Sequence, residues 1–247
     1  MENLTTVILS TGCGMIALDS PVKLKILEIL ENGTLSFDEI VERSNKAKST
    51  ISVHLHDLEE LNLIQEKIFP NDKRKKYFVL NAIYLAYSQT PLRKQYNTEM
   101  DTINVSNLNG GSFKEKLFGT LRYGMEAYGI DPKPILKKLG TDIGKKIGQE
   151  LKSRDSEGIF EELSVFWSEH KLGDMTYMNG DKTEISVINC YHCGKMPNVG
   201  KTLCSMDEGI IEGVIFSKLK CVCKVVEIEC CGTGHNHCKF IIEGLEL

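Results

Sequence analysis

No run of apolar residues reaches the roughly 18 to 20 that span a bilayer, and Met1 to Ser10 lacks the basic segment of a secretory signal peptide. These absences predict a cytoplasmic protein with no membrane partner. An overall positive charge is missing as well: 30 lysines and arginines against 34 aspartates and glutamates leave a net charge of -4. Any contact with nucleic acid therefore has to be local. The chain has no dinucleotide or phosphate-loop glycine fingerprint after a strand, and no nucleophile with an oriented base. No enzymatic role is expected.

What is present is a chain of 247 residues, 41% hydrophobic and 26% charged, long enough for one large or two small domains with real cores. Its nine cysteines are unevenly placed. Cys13 stands alone near the start, and all the others crowd between Cys190 and Cys238. In a cytosolic chain such local density points to metal binding or redox chemistry more often than to disulfides.

From Ser20 to about Leu80 the pattern reads helix, helix, helix, ribbon. Ser20 and Pro21 open the first helix, Val22, Ile26, Ile29 and Leu30 form its stripe, and Gly33 stops it. Ser36 and Glu39 form a capping box for the second, which ends near Ser44 and Asn45. The third starts at Lys48 and repeats Ile51, Leu55, Leu58 and Leu61. Leu63 to Phe69 and Tyr77 to Leu80 look like strands joined by a basic turn from Pro70 to Lys76. This is a winged helix-turn-helix, whose third helix enters a major groove while the wing lies along phosphates. An acidic protein has placed Arg43, Lys46, Lys48 and Lys73, Arg74, Lys75, Lys76 along one edge.

With its "STISVHLHDLEELNLI" core, the segment Leu24 to Tyr77 resembles the ArsR-type winged-helix regulators. The resemblance implies a homodimer on two-fold, double-stranded operator DNA. Lys48, Ser49, Thr50, Ser52, Val53 and His56 match the family's recognition-helix positions. The family's metal-binding cysteine pair at the start of this helix is absent, which argues against that kind of metal sensing.

The expected organisation is a DNA-binding domain over 1–80, a linker and dimerisation helix over 81–111, and a sensor domain over 112–247. In the last region helices come first and strands later, which predicts an α+β fold with helices on one face of an antiparallel sheet. Phe166, Trp167 and Tyr177 are expected in its core rather than in a ligand pocket. The cysteines fall at a strand end (Cys190, Cys193), a helix start (Cys204), one strand (Cys221, Cys223) and a glycine-rich turn (Cys230, Cys231, Cys238). Such places can converge on one tetrahedral zinc. Adjacent Cys230 and Cys231 would point to opposite faces if extended, so at most one serves a given site.

The stretches "CSMDEGIIEGVIFSKL" and "EIECCGTGHNHCKF" resemble the sensor domain named after 4-vinyl reductase, which is also found in phenol-responsive activators. That resemblance implies a zinc held by Cys204, Cys230 and Cys238 with an acidic residue; the acidic position falls near His192 and Cys193, which makes Cys193 the fourth ligand here. A winged helix fused to this domain also resembles the methanogen-specific redox regulators, which makes Cys190, Cys221, Cys223 and Cys231 redox candidates. The alternatives are a regulator of the same design that binds a small-molecule ligand beside a structural zinc, and, less favoured, a reductase-type enzyme. His235 and His237 are expected to face solvent or hydrogen-bond near the site rather than to act as ligands.

Overall fold

Apolar residues gather into two separate cores, and the chain divides into the units Met1–Gln89 and Thr90–Leu247. The computed structural model describes all residues except 1–5, 32, 70–71, 104–109, 180–182, 195, 197 and 246–247. The expected wing tip at Pro70 and Asn71 and most of the expected linker run "NVSNLNGG" lie outside the described residues.

In the first unit, α1 (Pro21–Leu30) buries Ile26, Leu27, Ile29 and Leu30. Helix α2 (Phe37–Ser44) begins at a formed capping box, in which Glu39 Oε2 accepts from Ser36 N at 2.7 Å and Ser36 Oγ accepts from Glu39 N. Asn45 closes it in the left-handed conformation at φ 52°, which asparagine tolerates better than most residues. Helix α3 (Lys48–Glu60) turns Ile51, Leu55 and Leu58 into the core. Strands β3 (Leu35–Ser36), β4 (Ile64–Phe69) and β5 (Asp72–Leu80) make an antiparallel sheet in the order β3-β5-β4.

Two expectations are corrected in this unit. The basic run does not form a turn: Asp72–Lys76 belong to β5, because the pairing Phe69↔Asp72 carries the ladder almost to the hairpin tip. Residues 83–88 are not helical either. They form β6 (Ile83–Ser88), antiparallel to β1 (Val7–Thr11), which also pairs with β2 (Gly14–Leu18). Ile83, Tyr84 and Tyr87 are β-branched or aromatic and suit a pleated surface, but their partner strand is remote in sequence.

The second unit runs α4 (Arg93–Asp101), α5 (Gly110–Ala127), β7 (Ile130–Asp131), α6 (Lys133–Glu150), α7 (Ser156–Glu169), β8 (Asp174–Asn179), β9 (Thr183–Ile188), α8 (Ser205–Leu219), β10 (Lys224–Glu229) and β11 (Cys238–Glu243). The last four strands form an antiparallel sheet in the order β10-β11-β9-β8. Alternate residues Thr183, Ile185 and Val187 on β9 and Cys238, Phe240 and Ile242 on β11 are buried. This one-sided burial marks a sheet with a single covered face. Trp167, Phe160 and Leu163 of α7 and Ile211, Val214 and Ile215 of α8 share the core with these strands.

Helices α6 and α8 approach to backbone contact. A Cβ added to Gly144 would lie 2.1 Å from the Ile210 carbonyl oxygen, and one added to Gly209 would lie 2.0 Å from that of Lys137. The opposite side of α8 covers the free edge of β10: Glu212 Oε1 accepts from Val225 N and Glu208 Oε1 from Glu227 N, both at 2.8 Å. Lys137 of α6 bridges the two carboxylates at 2.8 Å (Glu212) and 3.3 Å (Glu208).

Gly144→Ala is expected to cost about 1–3 kcal/mol, the usual scale for overpacking a tight interface. A thermal unfolding scan should show a midpoint several degrees lower; an unchanged midpoint would contradict the close approach of the two helices.

Candidate metal centre

Four chain segments bring thiols to one place. The turn after β9 carries Cys190 and Cys193, and is tightened by Gly194 N donating to Cys190 O at 2.9 Å. Cys204 is the N-cap residue of α8, Cys230 follows β10, and Cys238 opens β11 opposite Val187 of β9. The Sγ–Sγ distances are 3.1 Å for Cys193–Cys238, 3.6 Å for Cys204–Cys238 and 3.7 Å for Cys190–Cys204. Four sulfurs at 2.3 Å from a tetrahedral ion would stand about 3.8 Å apart. These five thiols are buried and free.

The donors fall into two overlapping groups of four, in each of which the ligand atoms lie within 4.8 Å of one another. One comprises Cys190, Cys193, Cys204 and Cys238; the other comprises Cys204, Glu227, Cys230 and Cys238. Cys204 and Cys238 are common to both. The structure thus divides the expected ligands differently: Cys193 falls in with Cys190, and Cys230 with a carboxylate.

That carboxylate is Glu227, which sequence reasoning did not select. The available signal was its position in β10, two residues from Val225 and on the same buried face. Its Oε2 accepts from Leu203 N at 3.0 Å and Cys204 N at 2.8 Å, which ties the start of α8 to the sheet. Burial, reinforced by Cys230, pushes the carboxyl up to about 8. The clustered thiols perturb one another in opposite directions. Cys190 and Cys230 are pushed down, chiefly by hydrogen bonding with Cys193, whereas Cys193, Cys204 and Cys238 are pushed up, chiefly by Cys190. Such a set ionises together only with a compensating cation. Soft, closely spaced sulfur donors fit a thiophilic metal ion.

His192 lies between Cys190 and Cys193 and is buried. Burial and then the Arg122 guanidinium lower it to about 3, so the neutral ring accepts from Arg122 Nη1. Arg122 is itself 1% exposed, and its Nε and Nη2 find no hydrogen-bond partner among the described residues. A cavity of about 770 Å³ beside this pair is lined by Glu99, Lys116, Phe118, Tyr123, Tyr191 and His192, among others. Trp167 is fully buried in the core, and neither it nor Phe166 nor Tyr177 lines this cavity.

The other thiols stand apart in character. Cys221 and Cys223 are not on a strand, because β10 begins only at Lys224. Lys220 in the left-handed conformation ends α8, and the chain needs these residues to turn. Cys221 donates to Gly244 O at 3.4 Å. Burial, followed by Glu212, pushes Cys223 up to about 12, and burial also raises Cys231 in its 3-10 turn. Neither raised thiol is set up as a reactive thiolate.

In the first unit, Ser49, Ser52, Val53 and His56 lie on the exposed face of α3, with Lys48 at its start and Thr50 half-buried. Lys48 pairs with Asp38 at 2.8 Å, His56 faces Glu60 at 3.5 Å, and Lys76 pairs with Glu66 at 2.7 Å. Lys75 is exposed on β5, and the side chains of Lys73 and Arg74 lie outside the described ones.

The molecule is thus a winged-helix unit joined in sequence to an α+β unit with a buried thiol cluster. Residues 20–66 match the model of the bacterial regulatory protein, arsR family, and residues 183–244 match that of the 4-vinyl reductase domain. Protein MJ0150 of Methanocaldococcus jannaschii is 30% identical over 129 residues, covering 51% of this chain and 73% of that protein. The transcriptional repressor SdpR of Bacillus subtilis is 32% identical over 88 residues, covering 36% of this chain and 87% of that protein. The phenol-responsive sensory domain of the transcription activator PoxR, solved with phenol, superposes with a TM-score of 0.42 at 14% identity, covering 79% of this chain and 90% of that one. The chain belongs to the 4-vinyl reductase domain family and carries an arsR-family helix-turn-helix domain at its N-terminus.

Replacing Glu227 by alanine leaves the buried Leu203 and Cys204 N–H groups without their acceptor, at an expected cost of about 1–3 kcal/mol. Glu227→Gln keeps an acceptor and should recover most of the loss. Denaturant titration of both variants checks this, and equal midpoints for the two would refute it.

Proposed function

We propose that the chain is a transcription regulator that binds double-stranded operator DNA as a homodimer and senses redox state through the thiols of its C-terminal domain, with zinc as the resident metal. The observation that carries this reading is the convergence of five buried cysteines on one point, in a chain whose other unit presents a polar helix face and a basic wing. Cys204 and Cys238 would hold the ion throughout, completed either by Cys190 and Cys193 or by Glu227 and Cys230. Zinc, when bound, supplies no electron chemistry; it keeps thiolates deprotonated and contributes to folding.

Two ligand pairs for two open positions leave one pair in excess. Cys190 and Cys193, in a C-x2-C turn with sulfurs within 4.8 Å, are the pair we assign to oxidation. A peroxide would take two electrons and two protons from the two thiols, closing the S–S bond and leaving as water. The new bond would draw in the turn after β9 and repack it against Cys204 at the start of α8. In a dimer, such a change can alter the spacing of two recognition helices.

Ser49, Ser52, Val53 and His56 are assigned to base edges, and Lys48 with the wing residues Lys73, Arg74, Lys75 and Lys76 to phosphates. The ion pairs of Lys48 and Lys76 are exposed and weak, so phosphates can displace Asp38 and Glu66. The cavity beside Arg122 and His192 supports a second reading, in which a small molecule is sensed and the metal is structural.

Gel-shift titration of the reduced and then the peroxide-treated protein on its own upstream DNA, at fixed salt, tests the redox reading. A redox-dependent affinity is expected; equal affinities would remove it and favour the cavity. Alanines at Lys73–Lys76 should weaken binding to every DNA sequence and flatten its salt dependence by about 0.9 in log-log slope for each phosphate no longer neutralised. Cys204→Ser or Cys238→Ser should abolish bound zinc and destabilise the C-terminal unit, whereas Cys221→Ser should leave both unchanged. Metal analysis of the purified variants decides that point.

A further inference from the structure

Outside the thiol cluster, the turn between β10 and β11 brings together Glu229, His235 and His237. His237 Nε2 lies 2.8 Å from Glu229 Oε2, and His235 Nε2 lies 3.8 Å from the same oxygen. The two rings meet edge to face with centres 5.9 Å apart. All three side chains are partly exposed, between 28% and 43%.

The hydrogen bonds of the turn decide which ring nitrogens face the carboxylate as lone pairs. Thr233 Oγ1 donates its hydrogen to Cys230 O at 2.9 Å and accepts from Cys230 N at 3.0 Å. It has no second hydrogen to give, so at the 3.0 Å contact with His235 Nδ1 the ring must be the donor. Asn236 Oδ1, 3.0 Å from His237 Nδ1, likewise accepts from that ring. With both protons held on Nδ1, each neutral imidazole turns its Nε2 lone pair toward one carboxylate oxygen. Lone pairs meet there in repulsion unless a positive charge stands between them. Lys239, whose charge also reaches Glu229, is engaged by Glu184 at 2.6 Å.

We propose that Glu229, His235 and His237 form a second metal site, solvent-accessible and distinct from the thiol cluster, that takes a divalent ion of the zinc or nickel class through two imidazole nitrogens and one carboxylate oxygen. Histidines that bind metal characteristically donate their other ring N–H to a fixed acceptor, and both rings do so here. Tetrahedral N and O ligands about 2.1 Å from an ion stand about 3.4 Å apart; the observed 2.8 and 3.8 Å lie on either side of that value. Small rotations of exposed side chains close the set. Three protein donors leave a position for water, so the ion exchanges readily. Because Glu229 precedes Cys230 and His237 precedes Cys238, an ion here clamps the two segments that deliver those thiols. The site does not depend on what the thiol cluster binds.

The test uses the full chain, reduced and under anaerobic conditions with its thiol-bound metal retained, and titrated with zinc in equilibrium dialysis. The wild type is expected to take up one further exchangeable equivalent. His235→Asn and His237→Asn should each weaken that uptake by at least about tenfold, the scale on which even the outer hydrogen-bond partners of a metal ligand act. Long-range proton–nitrogen spectra of the wild type give an independent readout: zinc should shift both Nε2 resonances and leave the Nδ1 protons in place. Imidazolium rings with protonated Nε2 that ignore added zinc, or equal uptake by the doubly substituted protein, would overturn the proposal.

Discussion

Helix α8 is gripped from three directions, and the C-terminal unit is organised around that grip. Its glycines let α6 approach until backbone meets backbone, its Glu208 and Glu212 side chains cover the free N–H groups of β10, and Glu227 of β10 ties down the amides at its N-terminus. An open sheet edge is otherwise a liability, and here the helix that closes it is also the helix that presents Cys204. Any movement of Cys204 is therefore felt in α6 and in the sheet together.

The same grip creates an electrostatic problem that a metal would solve. Thiols from four segments and one carboxylate are packed where water is excluded, and they cannot all carry charge unaided. A cation at Cys204 and Cys238 would relieve this and, on the proposed reading, would leave one of two flanking pairs uncommitted. Arg122, buried beside His192 with two nitrogens unpartnered among the described residues, adds positive charge on the flank that carries Cys190 and Cys193. The chemistry assigned to the cluster rests on this surplus of donors over coordination positions.

In the N-terminal unit the polar face of α3 and the wing follow from what the core does not need. Once Ile51, Leu55 and Leu58 are committed inward, the intervening positions must face out, and they hold serines, valine and histidine. The lysines are held loosely by surface carboxylates, and such pairs are weak enough to yield to phosphates.

Local rules made much of this legible in advance. The capping box of Ser36 and Glu39, the stripe of α3, the alternation of β9 and β11 and the crowding of cysteines are all written within a few residues of one another, so 3.6- and 2-residue periodicities reveal them. Three features needed the folded chain. Residues 83–88 are a strand because Val7–Ser10 lie beside them, Glu227 becomes a donor because β10 lies beside the start of α8, and Cys193 separates from Cys230 because the turn after β9 and the end of β10 approach Cys204 and Cys238 with different partners. Residue type and spacing determine which groups are available and which element each sits on; which of them meet is decided by pairings between segments far apart in sequence, where hydrogen-bond ladders and helix contacts set distances that no local pattern encodes.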